Sequence, residues 1–190
     1  LVEDTVCKVL VKGKKTVINN ITFNQKKRRI FVGEEKINQW YRGMDKPVLE
    51  FHFKNLRYFR IEEPSTLSSL NTIHSDRLKI IVANELSRVD LTMDVRKCYM
   101  ENWSTNTGKY RLSGNCNYFH VKLCGSGMLH AENLNTSHAL IEQNSIANGY
   151  LTVEDTLEVY SSEKGDVYYA GDPQKVIFKR HASGKLLKMP

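Results

Sequence analysis

Residues 149–169 read GYLTVEDTLEVYSSEKGDVYY. Apolar and polar side chains alternate through LTV and LEVY, stop at the polar run SSEK, and resume after Gly165. Alternation with a period of two places one face of a strand against a core, and glycine tolerates the close backbone approach that a sharp corner needs. The same alternation recurs in LKIIV (78–82), VDLTMDV (89–95), YRLSG (110–114), FHVKL (119–123), VYYAG (167–171) and VIFKR (176–180), while helical spacing is nearly absent. The protein is therefore expected to be all-β.

The glycines decide which all-β architecture. Gly108, Gly127, Gly149, Gly165 and Gly184 lie 19, 22, 16 and 19 residues apart. Eight residues before them stand Met100, Phe119, Ile141, Leu157 and Val176; two residues after them stand Tyr110, Leu129, Leu151, Val167 and Leu186. All are apolar. Four residues after, the series Leu112, Ala131, Val153 and Tyr169 breaks only at Lys188. A Greek-key sandwich explains the strand spacing but not why two apolar slots keep their distance from one glycine. Short coils of about 16–22 residues stacked into a β-solenoid explain both. Residues 47–190 are expected to form roughly seven or eight such coils as one continuous structural domain. Residues 1–46 are expected to add an irregular basic β cap, with strands at TVCKVLVKG (5–13), KTVINNITF (15–23) and RRIFVG (28–33).

The 41% hydrophobic and 26% charged content excludes wholesale disorder, and no apolar run approaches the length of a membrane-spanning helix. Leu1 in place of an initiator Met is read as the trace of an upstream segment, so a secretion signal or membrane anchor is left open. The net charge of +7 favours acidic partners. Its densest runs, KGKK at 12–15 and KKRR at 26–29, are accounted for by solvated turns or edge strands. Aromatic and basic residues do not interleave along any strand, which argues against nucleic-acid binding.

Candidate chemistry is sparse. The acids Asp90, Asp94, Glu132, Glu154, Asp155, Asp166 and Asp172 would have to converge in pairs for hydrolysis, and only Glu132 and Glu154, each five residues after a glycine, fall in a ladder position. His120 and His138, 18 residues apart, are placed to stack on adjacent coils without a third ligand; no metal or other cofactor is expected. Cys7, Cys98, Cys116 and Cys124 lack metal-site spacing. Cys98 and Cys116 lie one coil apart, so a disulfide is conceivable, but their offsets of ten and eleven from the following glycine place them on opposite faces. Tyr168 is expected to point outward beside Tyr150, Tyr160 and Arg180, with Tyr169 inward. Tyr168, Asp172, Lys175 and Arg180 are the residues the framework leaves unexplained, and they form the candidate binding site.

Several stretches resemble the bacterial head GIN domain family of auto-transporter adhesins. They are LRYFRIEEPSTLSSLNTIHSDRLKIIVANELSRVDLTM (56–93), VKLCGSGMLHAENL (121–134) with its Gly125-Ser126-Gly127 corner, and LEVYSSEKGDVYYAGDPQKVIFKRHASGKLLKM (157–189), with Tyr169, Gly171 and Pro173. The likeness spans roughly residues 47–189 and is weak before them. It implies a right-handed parallel β-helix, export to the periplasm, outer membrane or cell surface, and no enzymatic activity. The expected function is a non-enzymatic binding module for a glycan or protein partner at the cell envelope. Its rivals are a polysaccharide-processing enzyme and a purely structural assembly module; the ligand and the oligomeric state are not legible.

Overall fold

The computed structural model describes residues 1–35, 46–103 and 106–190. The chain divides into two compact units, Asp4–Phe53 and a larger one made of Leu1–Glu3 with Lys54–Pro190. The sequence reading drew its boundary between residues 46 and 47.

Strand β1 (Val2–Glu3) belongs to the larger unit. The smaller one contains β2 (Lys8–Lys12), a helical turn α1 (Lys15–Ile18), β3 (Ile21–Lys26), β4 (Arg29–Glu34) and β5 (Val48–Phe53). β2 and β5 pair antiparallel, with Val9 opposite Phe51 and a Lys12–Glu50 ion pair at 2.5 Å. β3 and β4 form a separate two-stranded antiparallel sheet. The strand expected across 15–23 begins only at Ile21. Lys15–Ile18 instead satisfies its backbone locally: the N–H of Ile18 and of Asn19 donate to the carbonyls of Lys14 and Lys15, and the Asn20 amide donates to Thr16 O.

The larger unit continues with β6 (Tyr58–Ile61), β7 (Thr66–Ser68), β8 (Ile73–Val82), β9 (Arg88–Asn102), β10 (Lys109–Gly125), β11 (Met128–Ser145), β12 (Gly149–Ser161), β13 (Val167–Ala170), β14 (Lys175–Arg180) and β15 (Leu186–Lys188). From β6 on, each strand pairs in parallel with its counterpart on the neighbouring coil. The result is an all-β parallel solenoid of about six turns, with 66% of the chain in strands and 2% in helix. Seven or eight turns were expected. Fewer fit because early coils are long: Tyr58 pairs with Lys79 and Thr66 with Arg88, and Val48–Phe53 falls in the smaller unit.

The core is a set of apolar columns. One runs Leu78, Cys98, Phe119, Ala139, Leu157 and its neighbour Ile80, Met100, Val121, Ile141, Val159; on β14 Val176 and Phe178 continue the two columns but are exposed. The five residues eight before each glycine thus belong to two columns rather than one. A third column runs Val89, Tyr110, Leu129, Gly149, Val167, Leu186. Gly149 therefore stands where the other coils place an apolar side chain, and extending the register two residues back puts Ala147 at the corner of its coil. The glycine frame slips by two residues at this coil. A slip of two keeps every side chain on its face, so the apolar pattern survived the wrong register.

Corners are held by buried polar side chains. The Asn106 amide donates to Asn84 O, and its Oδ1 accepts from the N–H of Gly108 and from the Tyr110 hydroxyl. Asn84 in turn bonds Ile61 O and Ser87 Oγ; Gln143 donates to Ala147 O at 2.6 Å, and Ser145 to Gly127 O at 2.9 Å. Where the chain turns, its backbone groups leave the ladder, and buried ones need such partners. Gly165 admits no side chain, because a Cβ there would overlap the Ala147 carbonyl oxygen of the coil before.

Candidate functional site

The solenoid presents two outward faces, which divide the sequence-predicted site. On the first, Arg111, His130, Tyr150 and Tyr168 occupy one column on successive coils. His130 stacks on Tyr150 at 5.3 Å between ring centroids, and Tyr150 on Tyr168 at 5.0 Å, with ring planes 10° and 15° apart. Stacked in this way, the rings cover one another's faces and offer edges and hydroxyls to solvent. The Tyr168 hydroxyl lies 3.5 Å from Asp166 Oδ2; partial burial, then the Asp166 carboxylate, push its phenol above the ordinary tyrosine range. Asp166 itself ties coils together: it accepts from the Lys185 N–H through Oδ1, and its own N–H donates to Asn148 Oδ1.

Tyr168 is half-buried on β13, whereas Lys175 and Arg180 are exposed at the two ends of β14, opposite Thr156 and Ser161 of β12. Arg180 lies five residue steps along the strand from Lys175, about 16 Å, with the side chains on opposite faces. Asp172 is 91% exposed and pairs with Lys188, which lowers the Asp172 carboxyl from its ordinary value. Between Tyr168 and Asp172 the chain turns at Gly171, at φ +91°, where a Cβ would overlap Val153 O. The four residues do not converge. Tyr160 likewise lies on the second face, beneath the Lys179 ammonium at 5.4 Å. Sequence reasoning grouped these residues because it could not see the turn at 171–174 move the chain from one face to the other.

That second face brings together residues that the sequence alone does not group. Tyr99, Tyr118 and His120, from β9 and β10, form a cluster with centroids 6.0 and 5.9 Å apart and ring planes inclined at 53° and 66°. The Arg77 guanidinium from β8 lies 5.0 Å over the Tyr99 ring, and His120 Nε2 lies 2.8 Å from Glu142 Oε1. Lys175 shares the column of Arg77, Lys97, Tyr118 and His138. The only signal in the sequence is the near-coil spacing of 77, 99, 118 and 120. His120 faces Leu140 and His138 faces Tyr118, so the two histidines do not stack, since the coil is 20 residues long here rather than 18. Nor do Glu132 and Glu154 form a ladder: a register shift intervenes, and Thr152 lies beside Glu132, donating to its carbonyl.

A third feature is an open depression of about 550 Å³ lined by Asn55, His74, Asp76, Asp94, Arg96 and Asn117 among others. Arg96 grips both carboxylate oxygens of Asp76 and holds that acid below its ordinary range, which makes it a poor proton donor near neutrality. Asp94 stands opposite His74 in the ladder, and His74 Nδ1 lies 3.4 Å from Glu3 Oε2. No group of three or more metal-ligating side chains occurs among the described residues.

Cys98 and Cys116 are free, and both are buried. The expectation of opposite faces fails because the corner between Val95 and Cys98 resets the alternation, so both thiols enter the core from either side of one corner line. Burial raises the Cys116 thiol from 9.0 to about 11 and Cys98 well above its ordinary value. Neither has the character of a nucleophile.

Comparison with known proteins places this geometry. A crystal structure described as a "putative adhesin" from Bacteroides fragilis aligns over 99% of this chain and 86% of its own, with TM-score 0.90 and 15% identity. Two proteins of Parabacteroides distasonis follow at TM-score 0.66. One is described as a "putative adhesin" (13% identity, 99% of this chain, 87% of that one), the other as a "putative lipid binding protein" (14%, 100%, 87%). At such identities they show the shared fold. No curated protein matches the chain. The family described as "Putative auto-transporter adhesin, head GIN domain" matches residues 1–173. The match thus takes in the basic N-terminal segment, where the resemblance is weak, as well as Tyr169, Gly171 and Pro173, and stops before β14 and β15. With most of its length so matched, the chain belongs to the head GIN domain adhesin family.

Proposed function

We propose that the protein is an exported, non-enzymatic adhesion module of the bacterial envelope, and that it binds an acidic glycan through the second outward face. The carrying observation is the patch of Arg77, Tyr99, Tyr118 and His120, gathered from three coils with rings inclined rather than stacked. Inclined rings leave apolar faces for the C–H side of a sugar, and the guanidinium offers paired donors to a carboxylate. Lys175 and Lys179 extend the positive charge along the same face. Of the four residues singled out from sequence, Lys175 belongs to this surface; Tyr168, Asp172 and Arg180 stand apart from it. The adhesin family supports a binding role, and the +7 net charge supports an acidic partner.

The test is binding to a panel of acidic and neutral envelope polysaccharides at low salt, by wild type and by Tyr118→Ala and Arg77→Ala. Retention of an acidic polysaccharide, weakened about tenfold by either substitution, is the expected result. Equal binding by all three proteins would overturn the assignment of the face, and cleavage of any polysaccharide would overturn the non-enzymatic reading.

A further inference from the structure

The β3–β4 hairpin gathers four exposed large apolar side chains on one two-stranded ribbon. Cross-strand pairing puts Phe23 opposite Val32 and Gln25 opposite Ile30 on one side of the ribbon, and Phe31 opposite Asn24 on the other. None is covered: Phe23 is 46% exposed, Ile30 50%, Phe31 52% and Val32 39%. A two-stranded ribbon with both sides open is marginal in water. At its tip stands the run Lys26-Lys27-Arg28-Arg29, with Lys27 in the left-handed region at φ +57°. Glycine, asparagine or aspartate would fill that position at lower cost. The chain keeps a cation there instead.

An apolar ribbon capped by clustered cations has the chemistry of an element that enters the boundary of an anionic bilayer. The cations meet lipid phosphates and the aromatic and branched side chains lie among the acyl chains. A second copy of the chain is the poorer occupant by charge, since its hairpin would bring the same cations. We infer that the β3–β4 hairpin is a membrane-docking element that binds the surface of an anionic phospholipid bilayer. Attachment would then be separate from the glycan-binding face, through residues that lie entirely in the smaller unit.

Co-sedimentation of the full chain with phosphatidylglycerol–phosphatidylcholine vesicles, compared with pure phosphatidylcholine vesicles, tests this. Wild type is expected to bind the anionic vesicles at low salt and to leave them at high salt. The triple variant Lys26→Glu, Lys27→Glu, Arg28→Glu is expected to bind about a hundredfold more weakly, and Phe23→Ser with Phe31→Ser about tenfold. Lys27→Gly separates docking from folding: relieving the left-handed lysine should leave the protein at least as heat-stable, yet bind the vesicles several-fold more weakly. An unchanged circular dichroism spectrum for each variant excludes misfolding. No binding to anionic vesicles, or binding that survives both multiple variants, overturns the inference. So does a wild-type dimer in light scattering that becomes monomeric in the phenylalanine variant without vesicle binding, which would make the hairpin a contact between copies.

Discussion

Phe119 and Phe23 stand in the same kind of sequence, apolar residues alternating with polar ones, and meet opposite fates. Phe119 is wholly enclosed by the columns of the solenoid, whereas Phe23 is 46% exposed on a two-stranded ribbon. The difference lies in what each strand can stack on. An internal coil has a copy of itself above and below, so its inward side chains are covered, whereas Val176 and Phe178 on β14 are exposed. A hairpin has only its partner strand. Alternation thus announces a strand and a potential buried face, while burial depends on a repeat that supplies the cover.

The contrast can be broken most directly by truncating both phenylalanines. Phe119→Ala is expected to destabilise the solenoid by about 3–5 kcal/mol, and Phe23→Ala to change stability by less than about 1 kcal/mol, both read from urea unfolding. Equal losses would mean that the hairpin is packed in solution. Next in size is a pair of backbone substitutions of opposite sign. Gly171→Ala forces a side chain into a left-handed position against Val153 O and should cost about 3 kcal/mol. Lys27→Gly relieves such a position and should stabilise the smaller unit by up to about 1 kcal/mol. A melting temperature that falls for the first and holds or rises for the second is the expected outcome.

Burial also sets a pH response confined to the solenoid. The Cys116 thiol is raised from 9.0 to about 11. Its contribution is therefore complete below pH 9, where native and unfolded chains both hold the proton. It is lost as the pH climbs towards 11, because the unfolded chain has already released that proton. The loss from this one thiol amounts to about 2–3 kcal/mol, and Cys116→Ala should flatten the alkaline fall in unfolding free energy by that amount. A variant that falls as steeply as wild type would place the thiol in contact with water. The smallest effect is expected at the stacked column: Tyr168→Phe removes a hydroxyl bonded at 3.5 Å and should shift stability by less than about 0.5 kcal/mol, with polysaccharide binding unchanged if the glycan face is the inclined cluster.

Much of the fold was legible because alternation and corner glycines are local signals. The slip at Gly149 shows their limit: side-chain parity is fixed by period two, but register depends on which residues pair across coils, and Ala147 can replace glycine at a corner. Cys98 and Cys116 show the same limit from another side, since a corner between Val95 and Cys98 resets a count that assumes a straight strand. The candidate site was less legible still. Tyr168 and Arg180 are near in sequence and belong to different faces, whereas Arg77, Tyr99 and Tyr118 are distant in sequence and form one patch.

The sequence by itself determined an all-β chain with a repeating inward face, a basic N-terminal segment and a family membership, because each is written in nearest-neighbour chemistry and spacing. Only the tertiary structure decided the register of the coils, which outward side chains share a face, and that the hairpin's apolar residues stay uncovered. Those depend on how residues some 20 positions apart are brought side by side, and small changes in corner length alter that pairing while leaving the local pattern intact.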